Sequence, residues 1–283
     1  MTPRVKDIVN SLNLDAPFSL AEPWDNVGLL VGNPDQEVTS ILIGLDPTNT
    51  LIDEALASGA NTVVTHHPVI FQPLSSINTV EPSGKLLEKA LVNRISIIGC
   101  HTNLDSAVEG VSDILAAKLG LKELSPLIPS GNKNYPETGL GRIGTFDTPV
   151  SAAVFIKRVQ EVLNLSSIQV AGEIPEKIKT VAVCGGSGSD LATEALIRGA
   201  DIYLSAEIKH STAIWAIENS FCIIDGTHFA TEQPSVSLLA EKLTRANTDH
   251  KWNIAIRQSA TERHPFVLID KSYLKKMMAR INF

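Results

Sequence analysis

Apolar residues fall along the chain in two rhythms. Val5, Ile8, Val9 and Leu12 recur at three- and four-residue steps, which predicts an amphipathic helix over residues 3–13. Farther on they come in short unbroken runs: Ile41 to Leu45, Thr62 to Thr65, Ser96 to Cys100 and Thr180 to Cys184. Runs this short, bounded by turn residues, predict strands buried on both faces. Between them the helical spacing returns at residues 51–57, 85–91, 111–119, 152–163 and 191–197, with Gly59 and Gly120 placed to stop two of the helices. This alternation predicts an α/β protein.

The pattern breaks once, over residues 124–144, where Pro126, Pro129, Gly131, Pro136, Gly139, Gly141 and Gly144 crowd together. On either side the same theme is played twice. A shift of 140 residues lays Leu51, Glu54, Ala55, Leu56, Gly59 and Ala60 on identical residues at Leu191, Glu194, Ala195, Leu196, Gly199 and Ala200. A shift of 127 lays His101 and Asp105 on His228 and Glu232. The expectation is two similar three-layer α/β lobes made by internal duplication, facing each other across a cleft. Residues 1–123 form the N-terminal lobe, 124–144 a linker, and 145–283 the second lobe with a C-terminal extension, the two free to intertwine as one domain.

Composition narrows the function. With 43% hydrophobic and 19% charged residues the chain can bury a full core, and with only 5% aromatics aliphatic packing must fill it. A net charge of −7, from 31 acids against 24 bases, argues against a nucleic-acid partner, which needs a basic face. No stretch approaches the roughly 18 apolar residues of a membrane helix, so no membrane partner is expected. Cys100, Cys184 and Cys222 lack a zinc-type spacing and read as reduced, buried thiols. The expected compartment is the cytoplasm, with the mitochondrion as the alternative.

Candidate chemistry gathers where strands end. Thr65-His66-His67-Pro68 follows one apolar run, His101 to Asp105 follows another, and His228 to Glu232 follows Ile223-Ile224 and a turn. In a parallel sheet such positions share one edge, where ligand sites form. Consecutive His66 and His67 point different ways, so each is better placed to hold its own metal. With Asp105, His228 and Glu232 they make three nitrogens and two carboxylates, a set suited to two ions roughly 3.5–4 Å apart. One carboxylate could bridge, and His101 is either a sixth ligand or a group that fixes Asp105. Zinc, iron, manganese and nickel all accept such donors. Two acids against two divalent cations leave the site positive, which favours an anionic small-molecule substrate. Glu207 falls on His67 in the 140-residue register, so Glu207 and nearby His210 are candidate catalytic or substrate-orienting groups. Gly185-Gly186-Ser187-Gly188 matches no phosphate-binding fingerprint and reads as a tight turn. Trp24 and Asp25 are either a packed ring and a turn or a wall of the pocket.

Together Trp24-Asp25-Asn26-Val27-Gly28-Leu29, Thr65-His66-His67-Pro68, His101-Thr102-Asn103-Leu104-Asp105 and Gly226-Thr227-His228-Phe229-Ala230-Thr231-Glu232 resemble the Nif-three-like family, the GTP cyclohydrolase I type 2 homologues. The resemblance runs from about Lys6 to the chain end. It implies two α/β lobes, a dinuclear centre in their cleft held by His66, His67, Asp105, His228 and Glu232, and a toroidal homohexamer. Ala206 departs from the Gly usual in relatives, and the tail from Trp252 to Phe283 resembles the longer ending of eukaryotic members, with a basic helix over 275–280. Two functions follow. One is a zinc-, iron- or manganese-dependent hydrolase acting on a nucleotide-like or anionic molecule, by ring opening as the family name suggests or by phosphoester cleavage. The other is a non-enzymatic metal-binding scaffold or regulatory partner of another protein.

Overall fold

The computed structural model describes residues 2–269 and contains two sheets, as the alternation predicts. The first lobe runs through helix α1 (Val5–Asp15), strands β1 (Gly28–Val31) and β2 (Ser40–Gly44), helix α2 (Asn49–Ser58), strand β3 (Thr62–Thr65), helix α3 (Pro82–Val92), strand β4 (Ser96–Gly99) and helices α4 (Thr102–Ser106) and α5 (Val111–Lys118). Then come β5 (Lys122–Pro129), β6 (Gly139–Ser151), α6 (Ala152–Leu163), β7 (Gln169–Ala171), β8 (Lys177–Ser187), α7 (Ala192–Ile197), β9 (Ile202–Ala206), α8 (His210–Glu218), β10 (Cys222–Asp225), α9 (His228–Glu232), α10 (Pro234–Asp249) and β11 (Ala255–Gln258). Local signals act where they stand: the Thr48 side chain accepts from the Leu51 amide to open α2, and Gly59, at φ 71°, closes it.

The first sheet has the order β1-β4-β3-β2-β11 and the second β5-β6-β8-β9-β10-β7. The strands β2, β3 and β9 are wholly buried in parallel pairings, and successive side chains feed opposite faces. Ile41 and Ile43 pack with Val5, Ile8, Leu239 and Leu243, whereas Leu42 packs with Leu51, Ile52 and Leu86 on the other side. In the second sheet Val181 and Val183 meet Phe155 and Val159, and Ala182 meets Ala192 and Ala195. Helix α5 belongs to both: Val111 enters the first lobe's core and Leu115 the second's. The parallel pairs Ile41–Thr62 and Val181–Ile202 are offset by the same 140 residues as the sequence echo.

Two boundaries differ from those expected. Residues 124–144 are no linker: they lie largely in β5 and β6, an antiparallel pair that enters the second sheet. Their glycines mark irregular strand geometry, Gly141 sitting at φ 61° with the Val183 carbonyl 3.0 Å from where a Cβ would stand. The second lobe also ends early, because α10 packs on α1 and β11 pairs in parallel with β2, returning the chain to the first lobe. The basic helix expected over 275–280 lies outside the described residues. Among the described residues no helix is long and apolar enough to cross a membrane.

Candidate metal centre

Parallel strands end on one edge, and the loops leaving those ends carry the polar residues of the site. His66 and His67 follow β3, His101 follows β4 and opens α4, which carries Asp105, and His228 and Glu232 begin and end α9 just past β10. The two lobes bring them together. His67 Nε2 lies 2.9 Å and His228 Nε2 2.8 Å from Glu232 Oε2. His66 Nε2 is 3.7 Å from the other oxygen of the same carboxylate and 3.6 Å from Asp105 Oδ1. Adjacent His66 and His67 thus address different oxygens of Glu232. The ring of His101 stands 5.3 Å from that of His66 and 5.5 Å from that of His67.

The outward nitrogens of these imidazoles are all engaged. His66 Nδ1 donates to the Cys100 carbonyl (2.8 Å), His67 Nδ1 to Asp46 (2.7 Å), His101 Nδ1 to Asp25 (2.8 Å) and His228 Nδ1 to Glu207 (2.9 Å). A carbonyl or carboxylate oxygen can only accept, so each Nδ1 holds the proton and each Nε2 turns a lone pair into the site. The Nε2 atoms of His67 and His228 are 3.3 Å apart. His66 Nε2 and Asp105 Oδ1 are buried without a hydrogen-bond partner among the described residues, and Glu232 Oε2 is buried against the Nε2 atoms of His67 and His228. Lone pairs facing one another in a buried space need a cation or a proton between them. Donors of this kind fit a divalent transition metal, and two groups, His66/His67/His101 and His67/His228/Glu232, each hold their ligand atoms within 4.8 Å.

Protonation follows the same geometry. Burial opposes a charge on His67, but the Asp46 and Glu232 carboxylates override it and raise its pKa to about 10. His66 and His228 are also raised: for His66 burial is outweighed by Asp105 and Glu232, and for His228 the Glu232 hydrogen bond leads. Glu232, ringed by imidazoles, is driven well down in spite of burial, whereas Asp105 is pushed up by burial and by the nearby Glu232 charge. The Cys184 thiol is pushed up by burial to about 12, so it stays a thiol in the cavity wall and offers no thiolate.

The second lobe is shaped around Glu232. Gly186 has φ 67°, and a Cβ there would stand 1.9 Å from Glu232 Oε1. The expected tight turn is instead the irregular end of β8, which reaches Ser187 and shifts register against β9 after Val183; it yields space to the carboxylate, and its Gly185 and Gly186 amides donate to Ser112 and Thr231. Asp225 braces the two neighbouring turns, accepting from the amides of Ile208 and Thr227. Thr227, at φ 62° and ψ 144°, occupies backbone space nearly reserved for glycine, a strain of roughly 1–3 kcal/mol held one residue before His228.

Not every candidate arrives. Glu207 reaches the site through the His228 Nδ1 atom and so orients that ring. His210 is exposed at the start of α8 and is not among the residues lining the cavity beside the cluster. His101 donates to Asp25, not to Asp105. Sequence reasoning missed Asp46, whose only visible signal is its place directly after a strand, and Phe71, which lines the cavity beside Trp24.

A family profile described as Duf34/NIF3 (NGG1p interacting factor 3) matches residues 3–265. A Streptomyces coelicolor protein named GTP cyclohydrolase 1 type 2 homolog is 34% identical over 93% of this chain and 94% of its own length. A namesake from Clostridium acetobutylicum is 35% identical over 90% and 94%. The crystal structure of a Staphylococcus aureus hypothetical protein superposes with a TM-score of 0.87 at 30% identity, covering 95% of this chain and all of that one.

Proposed function

Because the chain belongs to the Duf34/NIF3 (NGG1p interacting factor 3) family, we propose that it is a dinuclear metal-binding protein and a metal-dependent hydrolase acting on a nucleotide-like or otherwise anionic small molecule. The observation that carries this reading is the four-fold pattern of Nδ1 donors, which leaves the Nε2 lone pairs of His66, His67 and His228 facing the Asp105 and Glu232 carboxylates. His66, Asp105 and Glu232 Oε1 would hold one ion, with His101 beside them. His67, His228 and Glu232 Oε2 would hold the second. Zinc, iron or manganese would serve, and when bound would supply Lewis acidity and acidify a nearby water.

The remaining work falls to this chain's own side chains. Asp46, Asp25, Glu207 and the Cys100 carbonyl keep the imidazoles in one tautomer and one orientation. A cavity of about 510 Å³ opens beside the cluster, large enough for a small organic substrate and lined by Trp24, Phe71 and Leu191 as well as by the cluster itself. The matched pairing registers of the two sheets support reading the lobes as a duplicated unit.

The test combines metal analysis with turnover. Purified protein loaded with zinc, iron or manganese is screened against nucleotides and phosphoesters beside an Asp105→Ala, Glu232→Ala double variant. The expected result is about two ions per chain, lost in the variant together with hydrolysis. Equal turnover by both forms would remove the enzyme and leave the metal-binding scaffold.

A further inference from the structure

We propose that the cavity takes its substrate end-on: a planar nitrogen heterocycle lies against Trp24 and Phe71 at the mouth, and a phosphoryl end reaches the His–Glu cluster. This rests on the metal-binding reading above and goes beyond it in fixing which end of the substrate meets the ions. Trp24 and Phe71 are 54% and 44% exposed, yet both are held in place. The turn bearing Trp24 is anchored through Asp25, whose fully buried carboxylate accepts from the Thr102 amide (3.0 Å), the Thr102 hydroxyl (2.5 Å) and His101 Nδ1 (2.8 Å). The next residue, Asn26, donates through Nδ2 to the Ile70 carbonyl at 2.6 Å and so ties in the turn bearing Phe71. Fixed apolar rings left facing solvent mark a surface made for an occupant.

The rings also define its shape. Trp24 and Phe71 meet edge to face with centroids 5.8 Å apart, and the His101 ring lies 6.2 Å from the first and 6.1 Å from the second. His101 therefore joins the aromatic wall to the metal-ligating floor. A flat heteroaromatic ring can stack here, a contact indifferent to the identity of the base.

Charge sets the direction. Glu22 and Asp190 also line the cavity, and Asp190 is already paired with Lys209 Nζ at 2.7 and 2.8 Å. Carboxylates can accept N–H donors from a heterocycle and repel phosphate. The floor, carrying two cations against Asp105 and Glu232, does the reverse. The opposite pose, with ring carbon at the ions, would press the phosphate against Glu22, two residues from Trp24 in the cavity wall. The group presented to the cluster is therefore the phosphoryl end rather than the heterocycle.

Tryptophan fluorescence of the full-length, manganese-loaded protein tests this, with bound metal measured on the same samples and adenosine monophosphate, adenosine and inorganic phosphate as probes. Adenosine monophosphate should quench Trp24 emission and adenosine should bind at least about tenfold more weakly. Inorganic phosphate should compete without quenching. Trp24→Leu, and independently Phe71→Leu, should weaken the nucleotide about tenfold while leaving phosphate affinity, measured by calorimetry, within about twofold. Wild-type nucleotide affinity in both variants, or adenosine binding as tightly as its monophosphate with phosphate unable to compete, would overturn the orientation. Manganese bound at two sites with no nucleotide binding would overturn this inference alone. Absence of bound metal would overturn the reading beneath it, and this inference with it.

Discussion

Glu207 shows how one carboxylate can fix the orientation of an imidazole in the cluster from outside it. It is exposed, sits at φ 52° in left-handed backbone just after β9, and spends an oxygen on His228 Nδ1. Replacing it with Ala should weaken metal binding roughly 10–100-fold, as loss of such an outer partner does, while turnover at saturating metal stays near that of the parent. A fall in turnover at saturating metal would restore Glu207 as a proton-transfer group. The His67 shift makes a second prediction. Its folded pKa of about 10 lies above the 6.5 of a free imidazole, so in metal-free protein its contribution to stability is complete below about pH 6.5 and lost as pH rises toward 10. Asp105, raised by burial, acts in the same sense over a window that opens at its ordinary value of 3.8, since ionising it disfavours the fold. The urea midpoint of metal-free protein should therefore fall from pH 6.5 to pH 10, and metal affinity should rise as the competing proton leaves. A midpoint that climbs over that interval would contradict the geometry. The inward-facing residues were legible in sequence because His66, His67, Asp105, His228 and Glu232 stand close behind strands. Asp46 and Asp25 were not legible as their partners, since those contacts span 21 and 76 residues and leave no spacing to read.

Elements with regular periodicity were the readable ones. The strands β2, β3, β4 and β9 are fully buried, so an unbroken apolar run is their natural signature. Strand β6 hid inside a stretch rich in Gly and Pro because its irregular pairing, with a register shift between Thr145 and Val150, breaks the two-residue rhythm. It also carries Arg142, whose buried guanidinium ties the lobes: Nε donates to Asp113 on α5 at 2.8 Å, one terminal nitrogen to the Ala107 carbonyl at 2.7 Å, and the other to the carbonyls of Gly139 and Gly141. Every face of that ion is answered. Arg142→Leu strands the Asp113 carboxylate and three carbonyls, and should cost about 3–5 kcal/mol in urea unfolding of the metal-free protein. A loss under about 1 kcal/mol would mean that water replaces the guanidinium at little cost.

At the scale of the whole molecule, one apolar stretch stands open among the described residues. Phe266, Val267, Leu268 and Ile269 are 81%, 66%, 70% and 52% exposed in the single chain. Contiguous apolar surface of this kind belongs against another surface, in keeping with the toroidal homohexamer that the resemblance implies. Light scattering on the purified protein should give six times the chain mass, and a monomer at micromolar concentration would refute the hexamer. The return of the chain to its first sheet carries a different implication, for synthesis. Strand β11 is translated more than 200 residues after β2, the strand it flanks, and Glu262 follows it to accept from the amides of Leu45 and Asp46. A nascent chain halted at residue 254 already contains every imidazole and carboxylate of the cluster, yet the loop that seats Asp46 against His67 still lacks its brace. Ribosomal products cut short there would own the ligands without the frame, so capture of metal should wait until the last segment has left the exit tunnel and docked.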